Sequence, residues 1–404
     1  MWWMSSRIVG MFCLLCETAF CFLSGSRVNA QSALPSEIVI GWNDLGMHCM
    51  NRTYQSFCVL PPYNNLHAQV VQRGNLPRLV TQGVTLNYNF THNTTSADKI
   101  NFWDHAQSLF NVTLAPNVGL AGKGLTGTLD YNATHGIFEA PGVPLTPFED
   151  SAPTVESPYQ LANVTLVSGQ TPMDQTTFVA PVSVEMHCDQ CHQASGGKTV
   201  EQVILALHDN EEGTNLSGSQ PVLCANCHSS NALGTSGQPG LPSLSLAMHG
   251  HHAEERPNTE CYACHPGAQT QCLRDVMYSA GLRCTNCHGD LSAVAQSIRD
   301  GRKPWLEEPK CSSCHASQYA EETGKLYRNS FGHGGLACEA CHNSPHAILP
   351  TIQPKDSLQV MRLQNSPRAL GKCSVCHTRR PTAPGPHGLI APPDPLAPAQ
   401  ILIY

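Results

Sequence analysis

Residues 188–377 repeat one five-residue word, Cys-x-x-Cys-His, from CDQCH at 188–192 to CSVCH at 373–377. The seven copies begin at Cys188, Cys224, Cys261, Cys284, Cys311, Cys338 and Cys373 and account for 14 of the 20 cysteines. Successive copies start 36, 37, 23, 27, 27 and 35 residues apart. These intervals are too short to build an ordinary apolar core each, so whatever the motifs bind must supply much of the interior.

The motif is the attachment signature of a c-type haem, in which two thiols bind the haem vinyl groups and the adjacent imidazole binds the iron. A zinc cluster or a disulfide scaffold does not need a histidine after every second cysteine, and thioredoxin-like chemistry uses a single pair. The predicted covalent ligands are Cys188, Cys191, Cys224, Cys227, Cys261, Cys264, Cys284, Cys287, Cys311, Cys314, Cys338, Cys341, Cys373 and Cys376. The predicted proximal iron ligands are His192, His228, His265, His288, His315, His342 and His377.

By these motifs, residues 186–390 resemble the multihaem c-type cytochromes. The resemblance implies seven covalently bound haem c groups in a domain of short helices and loops, with haem in place of a conventional core. The sequence itself indicates short helices. Thr199 and Gln202 form a capping-box pattern, and Asp290 is a candidate N-cap for a helix from Leu291.

The sixth position of each iron separates electron carriers from enzymes, because an iron with two protein ligands cannot bind substrate. Eight further histidines lie in or beside the motif region and are candidate distal ligands: His187, His208, His249, His251, His252, His333, His346 and His387. Seven irons need seven distal ligands, so these eight histidines suffice if one histidine of the 249–252 cluster is not a ligand. The sequence does not assign these histidines to individual haems.

Other side chains near the motifs could bind iron or metal. Met186, Met248 and Met277 are competing ligands that would raise the haem potential, although core packing is the ordinary role of methionine. Met47, His48 and Cys49, with His67, could supply a haem or metal ligand or simply form a packed strand and turn. Cys49 and Cys58 could close a disulfide loop in an oxidising compartment, and Cys272 would then be unpaired.

Residues 31–185 lack the motif and predict an all-β, antiparallel sandwich-like domain. Val84, Leu86, Tyr88 and Phe90 alternate with polar residues, the period of a half-buried strand. Shorter runs of the same kind start near Ile38 and cover 112–114, 125–131, 161–167 and 178–186. Pro141–Pro158 is either a loop within this domain or a linker, and the strand-like runs that follow favour a loop. His92, His105 and His135 are read as ordinary residues of this domain.

The terminal segments and the net charge limit the location and the partners that the sequence allows. Residues 1–30 predict a signal peptide, with Arg7 before an apolar run and Ala30 at the cleavage site; a retained anchor is the alternative because Glu17 interrupts the run. Residues 391–404 form a Pro-rich tail. The net charge is -7 and 13% of residues are charged, which does not favour nucleic acid as a partner.

The sequence therefore favours an exported electron-transfer protein of the periplasm or cell exterior, with closely packed, mainly bis-His haems and no stable membrane span. Its partners would be redox proteins or an extracellular acceptor, with the β-rich domain used for docking or assembly. A homo-oligomer or filament is an extension of this hypothesis. The alternative is an oxidoreductase of small nitrogen or sulfur compounds with one open haem. Against it, every copy of the motif ends in His, whereas such enzymes often alter the motif of the catalytic haem. The sequence identifies no catalytic residue.

Overall fold

The computed structural model describes residues 34–389. The predicted signal peptide at 1–30 and the tail at 391–404 lie outside the described residues. The strands are β1 (Glu37–Trp42), β2 (His48–Cys49), β3 (Phe57–Cys58), β4 (Asn64–Gln72), β5 (Arg78–Val80), β6 (Thr85–Phe90), β7 (Gly127–Asn132), β8 (Ile137–Val143), β9 (Phe148–Glu149), β10 (Ala152–Glu156), β11 (Tyr159–Ser168), β12 (Thr171–Ser183) and β13 (Val222–Leu223).

One curled sheet, rather than two stacked ones, forms the N-terminal region. Its nine strands run in the order β1-β4-β8-β7-β6-β11-β12-β2, with β5 paired to β4. All pairs are antiparallel except β2 with β12. The curl brings Gly41 of β1 against Phe178 of β12 so closely that a Cβ at Gly41 would collide with the ring. The alternating side chains of β6 are oriented as predicted, since Leu86, Tyr88 and Phe90 are all buried.

The strand predicted at 112–114 is wrong, because these residues follow a helix that the alternation pattern does not reveal. Helix α1 (Phe102–Phe110) ends at Asn111, whose φ of 55° is the left-handed conformation typical of a helix C-terminus. Its Phe102, Ala106 and Leu109 face the interior of the sheet. Pro141–Pro158 lies within the sheet region and contains the short β9–β10 ribbon, so it is not a linker.

Strand β1 is buried on both faces and joins the sheet to the motif region. Val39 belongs to the core inside the sheet, whereas Ile38, Ile40 and Trp42 pack with apolar residues of the C-terminal half, including Leu363 and Val375. An alternating strand normally leaves one face in water. Here the second face is covered by the chain that carries the motifs.

The C-terminal half is a series of short helices and loops. The helices are α2 (Val200–Glu212), α3 (Leu244–Glu255), α4 (Val276–Ser279), α5 (Cys284–His288), α6 (Leu291–Arg299), α7 (Cys338–His342) and α8 (Leu358–Gln364). The predicted capping box of Thr199 and Gln202 starts α2, and the Asp290 side chain accepts a hydrogen bond from Ala293 N at the start of α6. In the described range, no helix is both long and apolar enough to span a membrane.

Buried polar groups fasten the two halves together. Gln359 of α8 accepts hydrogen bonds from Gly41 N and Thr176 Oγ1 and donates one to Gly41 O. Trp42 Nε1 donates to Glu339 Oε2 at 2.9 Å. The Arg274 guanidinium pairs with Asp356 at 2.8 Å, lies over the Tyr159 ring and reaches Gly46 O. Each of these bonds joins segments far apart in sequence, which holds the motif region on the sheet.

Candidate functional site

Each motif folds into one tight turn that presents its cysteines and its imidazole together. In five motifs the histidine N–H donates to the carbonyl oxygen of the first cysteine, with distances of 2.8–3.0 Å at Cys188, Cys224, Cys261, Cys311 and Cys373. The other two motifs form the single-turn helices α5 and α7. The common turn gives all seven motifs the compact arrangement that attachment to one macrocycle requires.

Six of the seven motif imidazoles face a second imidazole across a gap of similar size. The ring centroids are 6.3 Å apart in His192–His252, 6.3 Å in His228–His208, 6.1 Å in His265–His249, 6.0 Å in His288–His346, 5.8 Å in His342–His387 and 6.1 Å in His377–His333. Every second partner is one of the candidate distal histidines. No pair consists of two motif histidines.

The width of these gaps fits a shared metal atom. An imidazole nitrogen binds a metal at about 2 Å, with its ring centroid about 1 Å further away, so two imidazoles on opposite sides of one metal have centroids about 6 Å apart. What distinguishes the six pairs is their composition, since each joins one motif histidine to one histidine outside the motifs. The residues present therefore fit six irons held between two imidazoles.

Hydrogen bonds at Nδ1 orient the second imidazoles. Nδ1 of His249, His252 and His387 lies 2.7–2.9 Å from the carbonyl oxygens of Ser245, Met248 and Gln318. Nδ1 of His208 lies 3.0 Å from Thr214 Oγ1, and Nδ1 of His346 lies 3.4 Å from Cys272 Sγ. A ring that donates from Nδ1 keeps the Nε2 lone pair free for a metal, which is the usual outer-shell arrangement of a metal-ligating histidine.

The two remaining distal candidates are oriented differently. Nε2 of His187 lies 2.9 Å from Glu185 Oε1, and Nε2 of His251 lies 3.9 Å from Glu211 Oε2. Neither ring faces a motif imidazole. His315, the fifth motif histidine, has no imidazole in ring contact within residues 34–389.

The methionine candidates take no visible part in these pairs. Met248 is 42% exposed on α3, and its carbonyl oxygen rather than its thioether contacts His252. Met186 and Met277 are half-buried beside the first and fourth motifs.

The motifs adjoin one another in an order that differs from the chain order. Their cysteines interact electrostatically or by hydrogen bonds in the pairs Cys188–Cys264, Cys261–Cys284, Cys287–Cys314, Cys311–Cys338 and Cys341–Cys376. The first motif therefore adjoins the third, and the third to seventh follow in sequence. The second motif is linked to the others through α2. This helix carries His208, which faces the second motif, and Glu211, which lies beside His251 of α3.

Glu185 is a positioning residue that sequence reasoning missed. Its carboxylate accepts hydrogen bonds from Gly267 N, Gln269 N and Thr270 N, all at 2.9–3.1 Å. Burial alone would raise the pKa of Glu185, but hydrogen bonds from Thr270, His187 and the loop amides lower it to about 2. The carboxylate thus fixes the chain before the first motif to the loop after the third. No sequence pattern marks it, because its partners lie more than 80 residues away.

The cysteines and histidines of the sheet region form no metal cluster. Cys49 and Cys58 are free thiols, with Cys49 near Cys272 and Cys58 near Cys224, so they do not close the loop that their spacing allows. His48 is buried and bonded through Nε2 to Asp44 Oδ1 at 2.9 Å. Between residues 34 and 389 no group of three or more His, Cys, Asp or Glu side chains could hold a bare metal ion.

Comparison with known proteins gives one match. Residues 292–343, which contain the fifth and sixth motifs, match the family model for cytochrome c554 and c-prime. Neither the curated proteins nor the solved structures contain a match to the chain. The matched segment and the haem-attachment motifs together support a c-type cytochrome with covalently bound haem c that acts in electron transfer.

Proposed function

We propose that this chain is an exported, seven-haem electron-transfer protein in which six haems have two histidine ligands. The six imidazole pairs with centroids 5.8–6.3 Å apart carry this proposal, because each combines a motif histidine with a second histidine. Bound haem supplies an iron that accepts and releases one electron. The chain would hold each of these haems by two thioether links to the macrocycle, and its iron by two imidazoles.

The protein residues favour electron transfer over bond chemistry at these six positions. With haem bound, the two imidazoles of each pair would both ligate the iron, which would leave no iron coordination site for substrate. The carbonyl oxygens at Nδ1 of His249, His252 and His387 fix the orientations of these three rings. A saturated, rigid site changes little when its charge changes by one electron, as a carrier requires.

The proximity of cysteines that belong to different motifs supports a continuous route. Cysteines of the third, fourth, fifth, sixth and seventh motifs adjoin in succession, and the first motif adjoins the third. Haems attached at these cysteines would be neighbours in the same order. We infer that electrons move along this series between two ends of the motif region.

The export and the partners follow from the same proposal. Covalent haem attachment, together with the signal peptide predicted at residues 1–30, supports a periplasmic or extracellular location. The partners are other redox proteins or an extracellular acceptor. The β-rich region, fastened to the motif region through β1, serves as a docking or assembly surface, and assembly into a homo-oligomer or filament extends the route.

An oxidoreductase of small nitrogen or sulfur compounds is the second candidate function. One observation favours it, namely that His315 faces no second imidazole in the described range. One open iron among seven would suffice for catalysis, with the others delivering electrons to it.

Intact mass of the secreted protein tests the haem count. Protein from a host competent in cytochrome maturation should carry the mass of seven haems, and the Cys373→Ala/Cys376→Ala variant should carry six. Cys58→Ala is the matched control and should retain seven, because Cys58 lies outside the motifs. A wild-type chain without added haem mass would overturn the proposal.

A further inference from the structure

We propose that the two ends of the motif series bind each other in adjacent copies of the chain, the seventh-motif end of one copy against the first-motif end of the next. This inference rests on the proposed function, because it names the surfaces through which copies of the chain would extend one electron route. Two groups of exposed charges of opposite sign carry it.

The seventh motif is surrounded by exposed cations. Residues 357–389 include five basic side chains and no acidic one. A further cation, Arg78, belongs to the β4–β5 hairpin, which is hydrogen-bonded to this motif through Gly74. The exposed cations near the seventh motif, which we call the basic surface, are Arg78, Arg368, Lys372, Arg379 and Arg380.

The first motif, at the other end of the series, has the opposite charge around it. Residues 186–260 contain eight acidic and two basic side chains. Glu212 ends α2 and Glu255 ends α3, the helix whose His252 faces the first motif. The exposed acidic side chains of this region, which we call the acidic surface, include Asp189, Glu211, Glu212, Glu255 and Glu260.

Most of these charges have no opposite charge beside them in their own chain. Among residues 34–389, Glu211 is the one member of the acidic surface in an ion pair, and Arg78, Arg368, Lys372 and Arg379 are in none. Other exposed cations are paired locally, such as Lys123 with Asp130. Because like charges repel, each surface favours a partner of the opposite sign.

Both surfaces are fixed to the rest of the molecule. Gly74 N donates to Cys376 O at 3.1 Å, and Thr378 N donates to Gly74 O at 2.9 Å, which holds the seventh motif on the β4–β5 hairpin. Asp209 Oδ1 accepts a hydrogen bond from Leu216 N at 2.6 Å, which closes the turn after α2. Surfaces that are ordered before binding lose less conformational freedom when they bind.

A second copy of the chain is the partner that these charges favour. The net charge is -7, so two copies repel each other as whole molecules. The Debye length is only about 8 Å at physiological ionic strength, however, so the local charges determine which surfaces can meet. The acidic surface of one copy complements the basic surface of another. Because the contact joins two different surfaces, it can repeat from copy to copy.

Sedimentation velocity of the holoprotein, with its seven haems verified by intact mass, tests the inference. The wild type should associate with increasing concentration in about 0.02 M salt and become monomeric in about 0.5 M salt, because salt screens exposed charges. Arg368→Glu/Arg379→Glu should weaken association at least about tenfold, and so should Glu212→Arg/Glu255→Arg. The matched control Lys303→Glu/Lys310→Glu changes the net charge equally at exposed positions outside both surfaces and should associate like the wild type.

Mixing the two charge-reversal variants tests whether the contact joins different surfaces. Each variant alone should stay monomeric in low salt. The mixture should associate, because the intact acidic surface of the first variant can bind the intact basic surface of the second. A chain with all four substitutions, in which the two surfaces have exchanged signs, should again associate by itself. A mixture that stays monomeric would overturn the inference.

Two wild-type results would also overturn it. A holoprotein that is monomeric at every concentration in low salt would mean that the basic surface serves a different acidic partner, and it would leave the proposed electron-transfer function intact. Association that persists in high salt and in both charge-reversal variants would place the contact elsewhere on the molecule. A haem count below seven, in contrast, would count against the proposed function itself.

Discussion

At the scale of single residues, the hydrogen bond at Nδ1 of an imidazole determines whether its Nε2 is free to bind a metal. The sequence identifies the motif histidines, since each follows a Cys-x-x-Cys pair, and it identifies the candidate set of distal histidines. It does not give the pairing, because His252 and His249 lie three residues apart yet face the first and third motifs. The deciding contacts are backbone carbonyls and carboxylates that carry no sequence signature.

If the fourth motif holds a haem as proposed, Cys272 should tune its potential through His346. Its sulfur lies 3.4 Å from Nδ1 of His346, the ring opposite His288. A hydrogen-bond acceptor at Nδ1 makes the imidazole a stronger donor and stabilises the oxidised iron, so Cys272→Ala should raise one potential by on the order of 60 mV. Cys272→Ser keeps an acceptor and should shift it less. Spectroelectrochemical titration measures the change, and an equal shift in Cys58→Ala would refute the role.

Asp44 should contribute stability that disappears in acid. Burial tends to raise its pKa, but His48, His67 and Asn65 outweigh burial and lower it from 3.8 to about 2. Because the folded-state pKa lies below the unfolded one, the contribution is complete above about pH 4 and is lost as the pH falls toward about 2. Asp44→Asn should therefore cost about 2 kcal/mol near neutral pH and progressively less in acid.

Denaturant unfolding of both proteins across this pH range checks the Asp44 prediction. The difference in midpoint between Asp44→Asn and wild type should narrow as the pH decreases. A difference that stays constant with pH would mean that packing, not charge, accounts for the effect.

At the scale of elements, helix α3 holds two sites at once. It carries His249 and His252, and the Nδ1 of each lies against a carbonyl oxygen of the preceding turn of the same helix. The sequence does not predict α3 well, because an amphipathic helix is recognised by a periodic apolar stripe. Here Gly250 and Ala253 are its buried positions, and imidazoles occupy much of the remaining surface.

Disrupting α3 should therefore remove the second imidazole ligand from two haem sites at once. Ala253→Pro removes a backbone donor and clashes with the preceding turn, at a cost of about 3 kcal/mol or more. We expect two additional high-spin haems by electron paramagnetic resonance. Ala253→Gly costs only about 1 kcal/mol in a helix interior and should leave both sites low-spin. Loss of one site without the other would contradict the shared role of the helix.

The contact between α8 and β1 should depend on one amide. Gln359 bonds to both backbone groups of Gly41, with distances of 2.8 and 3.0 Å, and to Thr176 Oγ1. Gln359→Ala would leave these buried groups unpaired, which costs about 1–3 kcal/mol. Met361→Ala, on the same helix but 40% exposed, is the matched control and should change the thermal midpoint little. Equal losses in the two variants would refute the role of the amide.

At the scale of the whole molecule, the two halves have different kinds of interior. Most fully buried apolar side chains lie before residue 186, where period-2 alternation predicts β1, β6, β11 and β12 but also a strand at 112–114 that does not form. The curl of the sheet and the burial of both faces of β1 are not predictable from that pattern, because they depend on contacts such as Gly41 with Phe178 and Ile40 with the motif region. In the C-terminal half, α2 and α6 are predictable from their caps, whereas α3 and the order in which the motifs adjoin are not.

Spin quantification by electron paramagnetic resonance tests the central claim, that six of the seven motif histidines share an iron with a second histidine. The sample is the oxidised full-length protein with its seven haems verified by intact mass. The imidazole pairs predict six low-spin haem equivalents, and His315, which faces no second imidazole within residues 34–389, predicts one high-spin equivalent. Fewer than six low-spin equivalents in this sample would contradict the account.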